Sequence, residues 1–597
     1  MSKQTEVELD TLANCFMDGR LWGRSDTTTL NEADVLLLFW RIIPQEQRPD
    51  SRDDVQVGLL GQQTDLVDLL RNAWKSGKSY KAIRRHSAYI QAFPPSDSIP
   101  QQAQPSVHRK EMVRSWTRPY TGNAPDALWK HIEDHIVVWA SYAPYCSIVQ
   151  SSGTGKSRCI DEFSKTHFVI PINLRDPLVT GFPAADAALH GLFTPRSIHG
   201  YSSGQIYTLM EVFLIALFEE VEKVIAKHAS NSEDLPSWFR QYMTEGQTFE
   251  SQGQKRKSLY EAVAKRTRSL LYNDLKAEGP NNPLKNAAVK LLKHFKSHKP
   301  DNSSHPRVIL AFDEAHTLTR GVEESENPDV SRLFSPFSHL RRCLRAIRFE
   351  RMFSVFLSTT GKITEFSDGN YQPTKFELST AHSTRVASGR TLLVPTFTAL
   401  GWDNLAPPLP ASAISEGVSC KNIGFDYQVF LGRPVFGTLY LSMLETRKLL
   451  KSLLCASDEY DDLNAFMRCV GETLTGCTGI AELTPAAKFA VLSQRFPLEF
   501  KVYSVAEREQ VERHLRVCVS VDESFVSMVT TNSSEPILSE AACFYMRQAD
   551  FNAPDTLLEI MRGFSIDKGD CGELIVLLLL TLARDEAEGL WYPYRGN

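Results

Sequence analysis

Residues 150–157 read Q-S-S-G-T-G-K-S, with the apolar run 146–149 before them and helical spacing from Ser157 onward. A strand that turns into a helix through two glycines constrains this chain more than any other stretch. Gly153 and Gly155 can take left-handed backbone without a Cβ clash. Successive N–H groups then face one concavity at a helix N-terminus, where free amides and the helix dipole favour an anion. The spacing is that of the phosphate-binding pattern GxxxxGK[ST], with Gln150 in place of the first Gly. The candidate nucleotide-binding residues are therefore Gln150, Ser151, Ser152, Gly153, Thr154, Gly155, Lys156, Ser157 and Arg158. Lys156 is expected to reach the β- and γ-phosphates of ATP, and Ser157 to hold Mg²⁺ through its hydroxyl. Gln150 bears on loop geometry more than on phosphate contact.

Residues 307–316 read R-V-I-L-A-F-D-E-A-H. Apolar residues ending in two carboxylates have the look of a buried parallel strand that exposes its polar end at a crevice. Asp313 is the expected Mg²⁺ partner through water, and Glu314 the general base for the attacking water. Adjacent side chains leave a strand in opposite directions, so the two carboxylates separate in role only if the strand ends there and the backbone turns. Residues 353–361, F-S-V-F-L-S-T-T-G, suggest a further strand, and in the additional-strand P-loop fold such a strand is inserted between the two motif strands. Thr359 and Thr360, ahead of Ser358, are the candidates to lie near the γ-phosphate. In 431–436, L-G-R-P-V-F, Arg433 reads either as an arginine reaching the phosphates from a helical lid or as a surface residue at a helix start. Pro434 is a candidate contact to the base, and Pro is favoured at a helix start in any case.

Apolar runs at 146–149, 168–172, 308–312, 353–358 and 391–394 alternate with helical patterns at 126–140, 205–228, 257–276, 283–298 and 337–349. That alternation predicts an α/β fold with a parallel sheet of about five strands covered on both faces. Pro-rich or polar breaks at 93–106, 299–306 and 404–412 divide the chain. The expected parts are a helical N-terminal segment, 1–93, with helices over 31–43 and 65–82, and a core, 107–403, with a basic helical insertion, 205–298. A helical lid, 413–480, and a mainly helical region, 481–597, follow. In the last region a hairpin over 515–521 and 525–529 suggests a winged-helix-like module.

Composition narrows the classes. Net charge is −5, so no whole-protein field attracts nucleic acid. The 11 cysteines hold no CxxC and suit a reducing compartment. Without an apolar leader or a run long enough to span a bilayer, the expectation is an intracellular protein, cytoplasmic or nuclear, with no membrane partner.

The segments SSGTGKSRCIDEF, FVIPINLRD, GFPAAD, VILAFDEAH, FLSTTGK and GRPVFG, in that order, resemble fungal P-loop NTPases similar to the NTPase module of Crinkler-type proteins. The broader relatives are the AAA+ and STAND ATPases. The resemblance spans about residues 110–450 and, more loosely, 535–583. It implies a P-loop NTPase of the additional-strand type, with a lid arginine or a GxP motif closing the nucleotide site. In Crinkler-type proteins the module is often joined to a nuclease-like effector. Gly572-Glu573-Leu574 resembles the start of such a region, but no Asp and Glu-x-Lys set follows, so nuclease activity is not expected.

Residues 254–300 carry 12 Lys/Arg against 3 Asp/Glu, and Arg341, Arg342, Arg345, Arg348 and Arg351 form a second basic cluster. Either could bind nucleic acid or be a solvated helix face. One arginine of the second cluster could act in trans as an arginine finger, so a protein partner or homo-oligomer is a further expectation. His131, Glu133 and His135 lack the H-E-x-x-H order of a zinc protease. Arg175 follows a strand end and could orient a phosphate or pair with Asp176. The expected function is a nucleotide switch that binds and hydrolyses ATP. The alternatives are a nucleic-acid-stimulated, helicase-like ATPase and a non-hydrolysing nucleotide-binding scaffold.

Overall fold

The computed structural model divides the chain into two units, Met1–His108 and Arg109–Asn597. In the first it describes residues 30–43, 64–76, 79–84 and 86 with Asn14, Met17 and Tyr89; in the second 113–136, 142–179, 181–194, 196–228, 234–272, 282–295, 305–319, 322–323, 333–359, 393–408, 423–453, 459–477, 483–500, 505–521, 528–532, 534–548, 550–563 and 571–589.

The first unit holds helices α1 (Glu32–Ile42), α2 (Thr64–Ser76) and α3 (Lys81–Arg84). Asn31 caps α1 by accepting from Asp34 N at 2.9 Å, which satisfies an amide the helix itself leaves free. Leu38, Phe39, Ile42, Leu66, Leu70 and Trp74 form its core. The helical pattern read over 65–82 is interrupted, because α2 ends at Ser76 and α3 begins at Lys81.

The second unit runs α4 (Ala124–His135), β1 (Tyr145–Val149), α5 (Lys156–Phe163), β2 (Val169–Asn173), α6 (Ala187–Phe193), α7 (Ser203–His228), α8 (Leu235–Thr244), α9 (Gln254–Tyr272), α10 (Pro283–Leu292) and β3 (Val308–Asp313). It continues through β4 (Val322–Glu323), β5 (Leu333–Phe334), α11 (Pro336–Ala346), β6 (Met352–Ser358), α12 (Phe425–Gln428), α13 (Pro434–Leu453), α14 (Glu459–Thr475), α15 (Pro485–Ser493) and α16 (Val505–Arg513). The last elements are β7 (Val517–Val521), β8 (Met528–Thr531), α17 (Pro536–Met546), α18 (Ala553–Gly563) and α19 (Cys571–Gly589).

Four strands make a parallel sheet in the order β1-β6-β3-β2. β6 therefore lies between the strand that feeds the 150–157 loop and the strand that ends at Asp313, as the motif order predicts. Of the expected fifth strand over 391–394, residues 391 and 392 lie outside the described residues and 393 and 394 are not in a strand, while an isolated parallel bridge joins Ile148 and Phe397 close by. Pro395, which has no amide to donate, stands two residues before that bridge.

Alternate residues serve opposite faces, because side chains leave a strand with period two. Ile170, Ile172, Leu310, Phe312 and Phe356 pack under α6, α7, α9, α10 and α11. Val169, Ile309, Ala311, Val355 and Leu357 pack with α4, α5 and Phe397. The basic insertion is thus one of the sheet's two covers, and much of its charge is paired. Arg256 is buried and donates to Asp186 at 2.8 and 2.6 Å. Lys290 meets Glu222, Arg266 meets Glu219 and Lys285 meets Glu350. In the second cluster Arg341 donates to the Tyr145 hydroxyl at 3.2 Å, and Arg342 and Arg345 lie over the rings of Tyr207 and Tyr142.

Beyond the sheet, α13–α15 and α17–α19 share a single apolar core running from Val429 to Leu578. The hairpin falls at β7 and β8, paired antiparallel with an irregularity between Cys518 and Ser520. That moves its second strand C-terminal of the 525–529 reading. Among the described residues no helix is long and apolar enough to cross a membrane.

The buried Arg256–Asp186 pair yields a stability test. Asp186→Ala strands a buried guanidinium and should cost about 3–5 kcal/mol. Glu245→Ala breaks the exposed pair with Lys255 and should cost less than about 1 kcal/mol. Urea unfolding followed by circular dichroism separates the two, and equal losses would contradict the structural role of the buried pair.

Candidate active site at the carboxyl end of the sheet

β1 leads into the 150–157 loop, which turns through Gly153 (φ +78°) and Gly155 (φ +89°) into α5. Both glycines thus occupy the left-handed region that side chains disfavour. Gly153 has a second reason to be glycine, since a Cβ there would stand 2.6 Å from Val435 Cγ1 at the start of α13. Inside the loop Thr154 Oγ1 donates to Ser151 O at 3.0 Å. Lys156 is buried, and its Nζ donates to Gln150 O at 2.7 Å and Ser151 O at 3.0 Å. Burial lowers its ammonium to about 8, against the raising influence of Glu314 and Asp313.

The departure from the phosphate-loop pattern has a structural reason. The Gln150 side chain is buried, donates through Nε2 to Cys518 O at 2.9 Å, and accepts at Oε1 from Cys518 N at 3.0 Å. The same Oε1 also accepts from Ser151 N at 3.0 Å.

The two carboxylates separate as the strand-end argument requires. β3 stops at Asp313, whose Oδ2 accepts from Ser157 Oγ at 2.5 Å. Glu314 then takes φ +53° and opens a short 3₁₀ turn over Ala315–Leu318. Its Oε1 lies 3.6 Å from Arg175 Nη2, and its Oε2 lies 3.3 Å from His316 Nδ1. Arg175 therefore faces Glu314 rather than Asp176, and is held by donating to Pro183 O at 2.9 Å. Burial, with the charge of Glu314, raises the Asp313 carboxyl, and Arg175, Ser157 and Lys156 oppose the rise. Burial also acts to raise Glu314, but His316, Arg175 and Lys156 outweigh it and hold the carboxyl low, at about 2.

Thr359 follows the last residue of β6, and the neighbouring Ser358 O accepts from Gln150 N at 3.3 Å. Thr360 lies outside the described residues. Pro434 opens α13 with its Cγ 3.8 Å from the Cβ position of Gly155.

Two expectations need correction. Arg158 is committed elsewhere: it donates to Asp161 at 2.6 Å and to Arg118 O at 2.7 Å, so it is not offered to a ligand in the loop. Arg433 is neither a surface residue nor a free lid arginine. It is fully buried, and Nε and Nη2 donate to Glu535 at 2.9 and 2.7 Å. Nη2 also meets Leu515 O at 2.7 Å, while Nη1 meets Ser152 O at 2.7 Å and Ser151 Oγ at 3.3 Å. All five guanidinium N–H groups have acceptors, which leaves none for a phosphate. Arg433 grips the loop backbone instead.

Lys156, Ser157, Asp313 and Glu314 thus converge at the carboxyl ends of β1 and β3, with β6 between them. His316 and Glu535 escaped sequence reasoning. His316 carried a signal, two residues from a candidate base, whereas Glu535 carried none. A cavity of about 60 Å³ adjoins the Ser157–Asp313 pair, lined also by Asn173, Arg240 and Arg256. It has room for a few waters. Among the described residues no cluster of three or more His, Cys, Asp or Glu could hold a metal. A cation here would draw on Ser157, Asp313, water and ligand oxygens, the manner in which Mg²⁺ is commonly held.

Residues 123–383 match the family model described as a domain of unknown function, DUF8735, a span that includes the 150–157 loop, Asp313, Glu314 and all four strands of the parallel sheet. No curated protein and no solved structure matches the chain.

Proposed function

We propose that the chain is a Mg²⁺-dependent P-loop NTPase of the additional-strand type, resembling the NTPase module of Crinkler-type proteins, that binds and hydrolyses ATP as a nucleotide switch. The observation that carries this reading is the 2.5 Å hydrogen bond from Ser157 to Asp313, made by the loop's last residue to the end of β3, with β6 lying between β1 and β3. In this reading the loop amides and Lys156 bind the β- and γ-phosphates, and Lys156 exchanges Gln150 O and Ser151 O for phosphate oxygens. Ser157 and Asp313 would hold Mg²⁺, which neutralises charge on the phosphates when bound. Glu314 positions the attacking water and takes its proton, and Arg175 and His316 orient its carboxylate. Thr359 stands at the neighbouring strand end, where a γ-phosphate would lie.

A non-hydrolysing scaffold is the second reading. One observation favours it: Glu314 is already engaged by Arg175 and His316 and is held acidic, which weakens it as a base. The helicase-like alternative has less support. Much of the basic segment's charge is paired internally, and beyond Asn404 the described residues contain no second parallel sheet.

Lys156→Ala should abolish or strongly weaken binding of a fluorescent ATP analogue, because it removes the cation that this reading places on the β/γ-phosphates. Equal affinity in the two proteins would sink the reading. Glu314→Gln should leave Mg·ATP binding intact while phosphate release falls by roughly 10²-fold or more. Asp313→Asn should instead weaken the Mg²⁺ dependence of binding. Wild-type protein that binds nucleotide without turnover would select the scaffold.

Affinity should also depend on pH. The free Lys156 ammonium deprotonates at about 8, and a bound phosphate requires it charged. Binding therefore takes up a proton above that pH, and Mg·ATP affinity should fall by about tenfold between pH 7 and 9. Isothermal titration across this range measures it, and a flat profile would mean that the free Lys156 ammonium stays charged up to pH 9.

A further inference from the structure

The Gln150 side chain does what a neighbouring strand would do. It gives one hydrogen bond to Cys518 O and takes one from Cys518 N, at 2.9 and 3.0 Å, the reciprocal exchange of an antiparallel pair. Cys518 stands in β7, 368 residues along the chain, with Thr530 of β8 as its cross-strand partner. A glycine at position 150 would leave both Cys518 groups without these partners in a buried setting, a costly arrangement.

A second tie reaches the same region. Arg433 holds Ser151 Oγ and Ser152 O with one nitrogen, while Glu535 and Leu515 O hold the rest of its guanidinium. Both ties act on the shoulder of the loop, at 150–152, and both end within 515–535. Gln150 Oε1 further fixes the direction of Ser151 N, one of the loop's own amides. The shoulder is also where Lys156 is anchored, on Gln150 O and Ser151 O.

Resting on the phosphate-loop reading above, we propose that Gln150 is a positioning residue that makes the loop's competence to bind nucleotide depend on the β7–β8 hairpin. The hairpin, through Cys518, sets the backbone at 150–151, and occupancy of the loop is felt in return at Cys518. By linkage the effect runs both ways: whatever the hairpin contributes to nucleotide affinity, nucleotide contributes to the order of the hairpin.

The test uses the full chain with Mg·ATP and reads two quantities, equilibrium affinity and amide hydrogen exchange in peptides covering 515–521. The Cys518 amide has the Gln150 side chain as its acceptor, so it reports on this contact. In the wild type, saturating Mg·ATP should slow exchange in that peptide by at least about threefold. Gln150→Gly matches the phosphate-loop pattern and on pattern alone should bind as well or better. The proposal requires the reverse, a loss of affinity of about tenfold or more, with no nucleotide-dependent protection at 515–521. Gln150→Glu keeps the acceptor and loses the donor, and should fall between the two. Undiminished affinity in Gln150→Gly, or unchanged exchange at 515–521 in nucleotide-saturated wild type, overturns the proposal. Should Gln150→Gly fail to fold, the wild-type exchange measurement still decides. Wild-type protein that binds no Mg·ATP at all overturns the phosphate-loop reading itself, and the coupling with it.

Discussion

The Arg433 guanidinium is fully buried, and each of its N–H groups is spent on atoms of this chain. A buried charge left unpaired would cost several kcal/mol, so the chain must bring acceptors to it from three distant places. Those places are the loop shoulder at 151–152, the backbone at Leu515 and the carboxylate of Glu535. Their meeting joins the parallel sheet's carboxyl end to the helical layer behind it. The left-handed Gly432 before it and the crowded Gly153 opposite follow from the same close approach, since a Cβ on Gly432 would stand 2.2 Å from Glu535 Cγ.

Around this junction the candidate site is a balance of buried charges. Lys156, Asp313 and Glu314 lie close enough to shift one another, the charge of Arg175 acts on all three, and burial acts against the charged form of each group that shifts. Burial weakens the hold of Lys156 on its proton, and cationic neighbours keep Glu314 ionised. The turn at Glu314 lets two sequence neighbours differ so sharply. Asp313 remains on the strand and receives the Ser157 hydroxyl, while Glu314 swings toward Arg175 and His316. In a site balanced in this way a low effective dielectric magnifies each added charge.

The same demand for partners explains the basic stretches. A run of lysines and arginines looks available for an external polyanion when read along the chain. In the fold, Arg256 closes on Asp186, Lys290 on Glu222, and the arginines of α11 on tyrosine rings and the Tyr145 hydroxyl. These contacts fasten the helical cover to itself and to the sheet.

What the sequence determined by itself was mostly local: the two left-handed glycines, the strand that ends in Asp313 and Glu314, the period-two alternation that buries both sheet faces, and the order of motifs that puts β6 between β1 and β3. The first three depend on backbone preference or periodicity within a short window, where few conformations compete, whereas the place of β6 is not local and was expected only from the resemblance to the additional-strand fold. The partners of Gln150, Arg175, Arg433 and Arg256 were settled only by tertiary structure. A side-chain amide or guanidinium has many acceptors of similar strength along 597 residues, and no local pattern ranks Cys518 or Glu535 above the others. Packing of the helical layer against the loop made that choice, because burial removed water as a competitor and left only the acceptors that packing brought within reach.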